Sequence, residues 1–306
     1  MNQNAPRKPF PGIAQAIGVL ALAVILQVVV AAHIGIIDVV LGTSLGRSPW
    51  MLGLMNLVAL GLATIVGFGR TRSPWVDVFP LRRLEFRWIV PMTLTVVGLH
   101  MLLSELDNWT RFVLPPPEWL VSMFRDLIDP AGNPFSSVWL LVIVAPLSEE
   151  FLVRGLILRG FRQRYTVRTA ILVSALLFGA LHLNPYQFFG GLGLGTVLAW
   201  WQIRTRSLSP CLFGHALINA LPLLLPRLPL PEIRGYNAIS ETVEFQPPWF
   251  TLTGAVLLVI GNELVRRQFR FLPPAEPPPD PADRQVAAPP TVSSRDTESS
   301  TDRGPV

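Results

Sequence analysis

The chain has 306 residues; half are hydrophobic, only 15% are charged, and the mean hydropathy is +0.45. A soluble domain carries about 25% charged residues, so this composition excludes a water-exposed globule and predicts an all-α polytopic membrane protein. The net charge of +5 does not indicate a nucleic-acid partner, because the positive charges cluster where a membrane topology would place them. A single cysteine, Cys211, excludes an internal disulfide and any Cys/His knuckle.

A helix crossing about 30 Å of hydrocarbon needs about 20 mostly apolar residues. Residues 1–11 read as a short cytoplasmic N-terminus. The first apolar run, 12–32, follows Arg7 and Lys8 but exceeds the ~7–15-residue core of a signal peptide, so it reads as an uncleaved anchor. Further runs follow at 49–69, 88–103, 135–147, 169–183, 188–203, 210–225 and 249–263. Together they predict eight crossings. Segment 74–87 mixes Trp75, Val76, Phe79 and Leu81 with Arg82 and Arg83, as a segment lying on the inner surface would. Connection 107–136 contains Pro115, Pro116 and Pro117 and then 118–128, which reads as an interfacial helix on the outer side. Segment 272–306, dominated by Pro, Ala, Ser, Asp and Arg, cannot bury enough apolar area to offset its chain entropy. It is expected to be a disordered cytoplasmic tail that can recruit partners.

The arginines supply the orientation. Basic residues near alternate connections are Arg7 and Lys8; Arg70, Arg72, Arg82, Arg83 and Arg87; Arg154, Arg159, Arg162, Arg164 and Arg168; Arg204 and Arg206; then Arg266, Arg267 and Arg270. The intervening connections carry only Arg47, Arg111, Arg125, Arg227 and Arg234. Cytoplasmic loops are enriched in Lys and Arg, so both termini are expected in the cytoplasm. Trp50, Trp75, Trp88, Trp109, Trp119 and Trp249 fall near the span boundaries, where amphipathic rings are favoured.

A charge at mid-bilayer costs at least about 2.5–3.5 kcal/mol, which makes such residues functional candidates. Glu149, Glu150 and Arg154 close the fourth run, Phe178 and His182 lie in the fifth, and His215 and Asn219 in the seventh. Residues four apart share a helix face, so Glu150 can pair with Arg154 and His215 can align with Asn219. Glu149 sits about 100° round the helix from Glu150, which leaves it free to face a cavity. Two histidines and a carboxylate on separate helices suit water activation: the carboxylate takes a proton, and the imidazoles bind a metal or stabilise an oxyanion. Each pair also has a plainer reading. Glu150 with Arg154 is an ordinary structural ion pair, and His215 with Asn219 is interhelical glue worth about 0.6 kcal/mol per contact. His33 and His100, at span ends without polar company, read as packing residues, and Gly190, Gly191, Gly193 and Gly195 as general helix packing. At about 1.5 Å per residue, Glu149 and His215 reach similar depths, but His182 does not. A tilted or later-starting fifth helix would bring it level.

The three motifs, Glu149-Glu150 with Arg154, Phe178 with His182, and His215 with Asn219, resemble those of the CPBP family, the CAAX-protease and bacteriocin-processing intramembrane metalloproteases related to prenyl-protein endopeptidases. The resemblance covers about 139–225. It implies an eight-helix fold, a catalytic membrane domain at 135–265 preceded by non-catalytic helices at 12–134, and a cavity opening to the cytoplasm. It also implies hydrolysis of a peptide bond in a membrane-associated protein or peptide, in the plasma membrane of a bacterium. Carried over by position, Glu149 would be the general base, supported by Glu150 and Arg154. His182, His215 and Asn219 would stabilise the oxyanion, with His182 and His215 the candidate ligands of a divalent metal such as zinc. Two other functions fit the pattern: a non-catalytic scaffold or immunity protein of the same fold, and a proton-coupled transporter. The second lacks the internal repeat expected of carriers.

Overall fold

The computed structural model describes residues 9–128, 133–238 and 242–272. Residues 1–8, with Arg7 and Lys8, and nearly all of the Pro-rich segment lie outside them. Helix α1, Ile13–Leu41, follows Gly12 and ends at Gly42, whose φ of 63° turns the chain. Helix α2 is Pro49–Phe68 and α3 is Phe86–Val113, with a one-turn helix, Trp75–Val78, between them. The predicted interfacial helix is α4, Glu118–Ile128. Helix α5 runs without a break from Pro134 to Arg162, started by Asn133, whose Oδ1 accepts the Phe135 amide at 3.0 Å. Helices α6, Val167–Leu181, and α7, Pro185–Thr205, are capped by Thr166 and Asn184. Then come α8, Ser209–Leu224, and α9, Pro248–Gln268, each opening on a proline in its first turn.

All helices but α4 coincide with the eight apolar runs. Among the described residues, α1, α2, α3, α8 and α9 are long and apolar enough to cross a membrane, α6 is apolar but has 15 residues, and no strand occurs. The chain is an all-helical integral membrane protein. Several helices outrun their apolar cores. Asp107, assigned above to a connection, belongs to α3, because Arg111 one turn on pairs with it at 2.6 Å. Neighbouring Glu105 accepts the Asn108 side chain and the Gln246 amide at 3.0 and 2.9 Å. Polar residues satisfied along one face let the helix continue beyond its apolar part.

The helices also sort their connections into two ends, as the arginine pattern requires. At one end Arg164 donates to the Pro9 carbonyl at 3.2 Å and Arg159 to Asp77 and Ser73. There too the Arg82 amide donates to Ser207 at 3.1 Å, and Arg204 lies over the Phe269 ring. At the other end Asn108 donates to the Gly235 carbonyl at 2.7 Å, Gln246 reaches Glu105, and Trp109 packs on Phe245 at 4.6 Å. Every arginine-rich connection that is described falls at the first end.

Helices α3 and α9 run antiparallel at close range, Gly98 against Gly254 and Leu258, and Gly261 against Thr95. A Cβ on Gly98 would stand 2.6 Å from the Gly254 carbonyl oxygen and against the Leu258 amide nitrogen, neither of which can rotate away. Small residues of this kind set how near two membrane helices come. Replacing Gly98 with leucine is expected to lower stability by about 1–3 kcal/mol or more through overpacking. Gly61→Ala, where no atom lies within 4 Å, should be neutral. Thermal unfolding of both variants in detergent checks this, and equal midpoints would refute it.

Candidate active site

The site is built on α5, which is not a uniform α-helix. Val138–Val144 and Phe151–Leu158 are wound as π-helix on either side of the α-helical Ala145–Glu150. Such turns are uncommon and occur often at functional sites. α5 is buried on most sides: Leu152, Val153, Arg154, Ile157 and Leu158 have no exposure. A helix surrounded in this way is the interior of the bundle.

Glu150, also fully buried, accepts two donors on one oxygen. Arg154 Nη1 approaches Oε1 at 3.0 Å, and His215 Nδ1 of α8 approaches the same atom at 2.8 Å. The predicted pairing of Glu150 with Arg154 is present. Arg154 goes further, donating to the Gly195 carbonyl of α7 at 3.4 Å and lying 4.2 Å above the Phe178 ring of α6. An ionised carboxylate only accepts, so His215 Nδ1 carries the hydrogen, which leaves Nε2 with a lone pair. Nε2 is turned to Glu149 Oε2 at 3.9 Å, and that oxygen is buried without a hydrogen-bond partner in the protein.

Phe178 joins the remaining histidine to this cluster. Its ring stands edge-on to His215 at 5.6 Å and to His182 at 5.3 Å. His182 is the residue that ends α6. Its Nδ1 donates to the Phe178 carbonyl at 3.0 Å, which leaves its Nε2 as an acceptor. The next residue, Leu183, has a φ of 55° and swings the chain into the Asn184 cap of α7. The depth mismatch is not resolved by a later start, since α6 begins at Val167; the Phe178 side chain fills the interval instead. Asn219 Nδ2, one turn from His215, donates to the Leu141 carbonyl in the first π segment at 2.9 Å.

His182, His215 and Asn219 line a cavity of about 1120 Å³, together with Phe178, Gly190 and Gly191. Nothing lies within 4 Å of where a Gly190 side chain would begin, so backbone-sized groups have room there. Glu149 departs from expectation: it stands beside His215 but is not among the cavity-lining residues, and its side chain is 12% exposed. His100 also departs from expectation. It lies within α3, lines the cavity and contacts the Tyr236 hydroxyl at 3.1 Å. Burial pushes the Tyr236 phenol up to about 12, so it remains a hydrogen-bond donor at any working pH. His33, as expected, contacts only its own helix, through the Val29 carbonyl at 2.7 Å.

Sequence reasoning missed three contributors. The sequence marks Phe178 only as the start of a motif, and Gly195 only as a packing residue. A polar chain from the N-terminal helices, Gln27 to Asn56 at 3.1 Å and Asn56 to Ser148 at 3.5 Å, ends beside Glu149. Its signal was available, since Gln27 and Asn56 are isolated amides inside apolar runs.

A catalytic zinc takes three protein ligands. Glu149 Oε2 and His215 Nε2 form a pair, His182 stands beyond Phe178, and among the described residues no three of His, Cys, Asp and Glu come close enough to hold an ion. As arranged, these groups do not fit a metal; what they can do alone is move protons and donate hydrogen bonds. Removing Arg154 would leave Glu150 short of its main compensating charge. Arg154→Met is therefore expected to lose about 3–5 kcal/mol of stability. Adding Glu150→Gln should recover much of that loss, because the uncompensated charge is gone. Unfolding in a denaturing detergent series reads both, and an unchanged Arg154→Met midpoint would contradict the assignment.

Residues 131–221 match the family described as Type II CAAX prenyl endopeptidase Rce1-like. An uncharacterized 24.3 kDa protein of Escherichia coli is 32% identical over 129 residues, which is 41% of this chain and 55% of that protein. The chain thus spans about half the length of the curated relative it matches. No solved structure matches. The matched segment holds Glu149, Glu150, Arg154, His182, His215 and Asn219, so all six residues lie in the part of the chain that is similar to the CAAX prenyl endopeptidases.

Proposed function

We propose that the protein is an intramembrane endopeptidase that cleaves a membrane-associated protein or peptide with water activated by Glu149. The observation that carries this reading is His215 standing between two adjacent carboxylates, tied to Glu150 at 2.8 Å and turned to Glu149 at 3.9 Å. Two acceptors at that separation suit one water molecule donating a hydrogen to each, at about 2.8 Å. Glu149 takes one of those protons as the water oxygen attacks the scissile carbonyl carbon. Charge then develops on the carbonyl oxygen. The second N–H of Asn219 is placed to stabilise it, and His182, on the cavity wall, does so in its imidazolium form, in which Nε2 also carries a hydrogen. The C–N bond breaks as Glu149 returns its proton to the leaving amine, so acid and base are one residue in two states.

Each role predicts a different loss. Glu149→Gln keeps the volume but cannot take the proton, and should reduce cleavage by about 10²–10⁴-fold with little change in unfolding midpoint. Asn219→Ala should cost about 10²–10³-fold, the usual effect of losing one oxyanion donor. The assay is purified protein in proteoliposomes with a library of membrane-anchored peptides, products read by mass spectrometry. Equal processing by wild type, Glu149→Gln and His215→Ala would leave a non-catalytic scaffold as the better description.

The same preparation tests the metal. With proton transfer confined to protein groups and water, activity should survive exhaustive chelation. Loss of activity that returns only with added zinc would mean that Glu149 and His215 act as ligands.

A further inference from the structure

The position of the cavity in the bundle bears on which substrates can reach the site. Its deep end is His215 and Asn219. From there the lining runs outward along α3 through Ser104 to Asp107 and Arg111, along α8 through Pro222, and along the first turn of α7 at Tyr186. The rim is formed by Arg125 and Asp126 of α4 and by Glu232 and Asn237 after α8. All of these belong to the end of the bundle where Asn108 meets Gly235 and Gln246 meets Glu105. None belongs to the end where Arg82 meets Ser207 and Arg164 meets Pro9.

The arginine distribution assigns sides to these ends. Apart from the buried Arg154, fourteen arginines of the described residues lie on the connections of the end where Arg82 meets Ser207, and five on those of the end that holds the mouth. Two of the five lie at the mouth itself, and Arg111 there is neutralised by Asp107 at 2.6 Å. Lys and Arg in short loops are retained on the cytoplasmic side. We infer that the mouth opens on the non-cytoplasmic face, and that the substrate is a membrane-inserted or exported protein whose scissile segment approaches from that face. A prenylated C-terminus lying in the cytoplasm would meet the arginine-rich end, which contributes no residue to the cavity lining. The inferred position is opposite to the cytoplasmic opening that the family resemblance implies. The substrate class rests on the endopeptidase reading; the position of the mouth does not.

The chain itself simplifies the test. Its one cysteine, Cys211, has no exposure, so single substitutions can be labelled without a cysteine-free background. Glu232→Cys and Asp126→Cys report on the rim, and Leu81→Cys, at a residue 58% exposed at the opposite end, is the counterpart. Full-length variants are made in a bacterial host and treated with a membrane-impermeant maleimide, in intact spheroplasts and in inverted vesicles. The expected result is rim labelling in spheroplasts and Leu81→Cys labelling only in inverted vesicles. The reverse pattern, equal labelling from both sides, or no rim labelling in either preparation overturns the proposal.

A second arm reads the substrate class. Two single-span reporters carry the same cleavable segment, selected in the liposome assay, on opposite sides of the membrane. Cleavage of the non-cytoplasmic reporter at least tenfold faster is expected, and preference for the cytoplasmic one overturns the substrate class. If the labelling holds but no peptide is ever cleaved in liposomes, the endopeptidase reading fails and the position of the mouth stands.

Discussion

One oxygen atom of Glu150 organises the centre of the molecule. An unpaired carboxylate taken out of water is penalised by several kcal/mol even after relaxation, and Glu150 has no exposure. Its compensation comes from three directions. Arg154 belongs to the same helix, His215 comes from α8, and Arg154 is itself held by the Gly195 carbonyl of α7 and the Phe178 ring of α6. Displacing any of the three outer helices would leave buried charge poorly matched. The ion pair was foreseeable as a structural one. It also acts as the clamp that holds four helices at one register.

That clamp divides the labour between two carboxylates adjacent in sequence. Glu150 is committed to Arg154 and to the Nδ1 of His215, which fixes the imidazole tautomer and points Nε2 the other way. Glu149, one residue earlier, has an oxygen without a protein partner beside that nitrogen. Two identical side chains therefore acquire unlike roles from their surroundings, the pattern by which acid and base assignments are generally separated. The π-helical segments on both sides of Ala145–Glu150 belong to the same arrangement. One of them presents the Leu141 carbonyl that Asn219 grips, and the other contains Arg154.

Much of this was legible from the sequence because a membrane removes ambiguity. Apolar runs must be helices when no water can satisfy the backbone, so all eight were locatable, and charges inside them stood out. Spacing of four found Glu150 with Arg154. Helix ends were less legible: α3 overshoots its apolar run because Asp107 and Glu105 find partners within the fold, and α1 does so with Asp38 accepting from Thr43, Leu45 and Gly46. Contacts between distant helices were not legible at all. Nothing local says that Asn56 will meet Ser148, that Tyr236 will meet His100, or that His215 will line the cavity while Glu149 beside it does not. Those depend on the rotation of each helix about its axis, which hydropathy constrains weakly when every face is apolar.

The glycines of α7 show how packing and chemistry merge. Gly191 lies against Gly179, where a Cβ would stand 2.8 Å from the Gly179 Cα, and Gly195 lies against Ala175 and Phe178. These are packing contacts, as their spacing suggested. Yet they bring α7 near enough for the Gly195 carbonyl to accept from Arg154 and for Phe178 to stand between two histidines. A side chain at 195 would push α7 from α6, lengthen the Arg154 contact and loosen the compensation of Glu150. The line between a residue that packs and a residue of the site therefore does not hold here. In a bundle whose centre is one shared charge, the distance between helix backbones is itself part of the electrostatics.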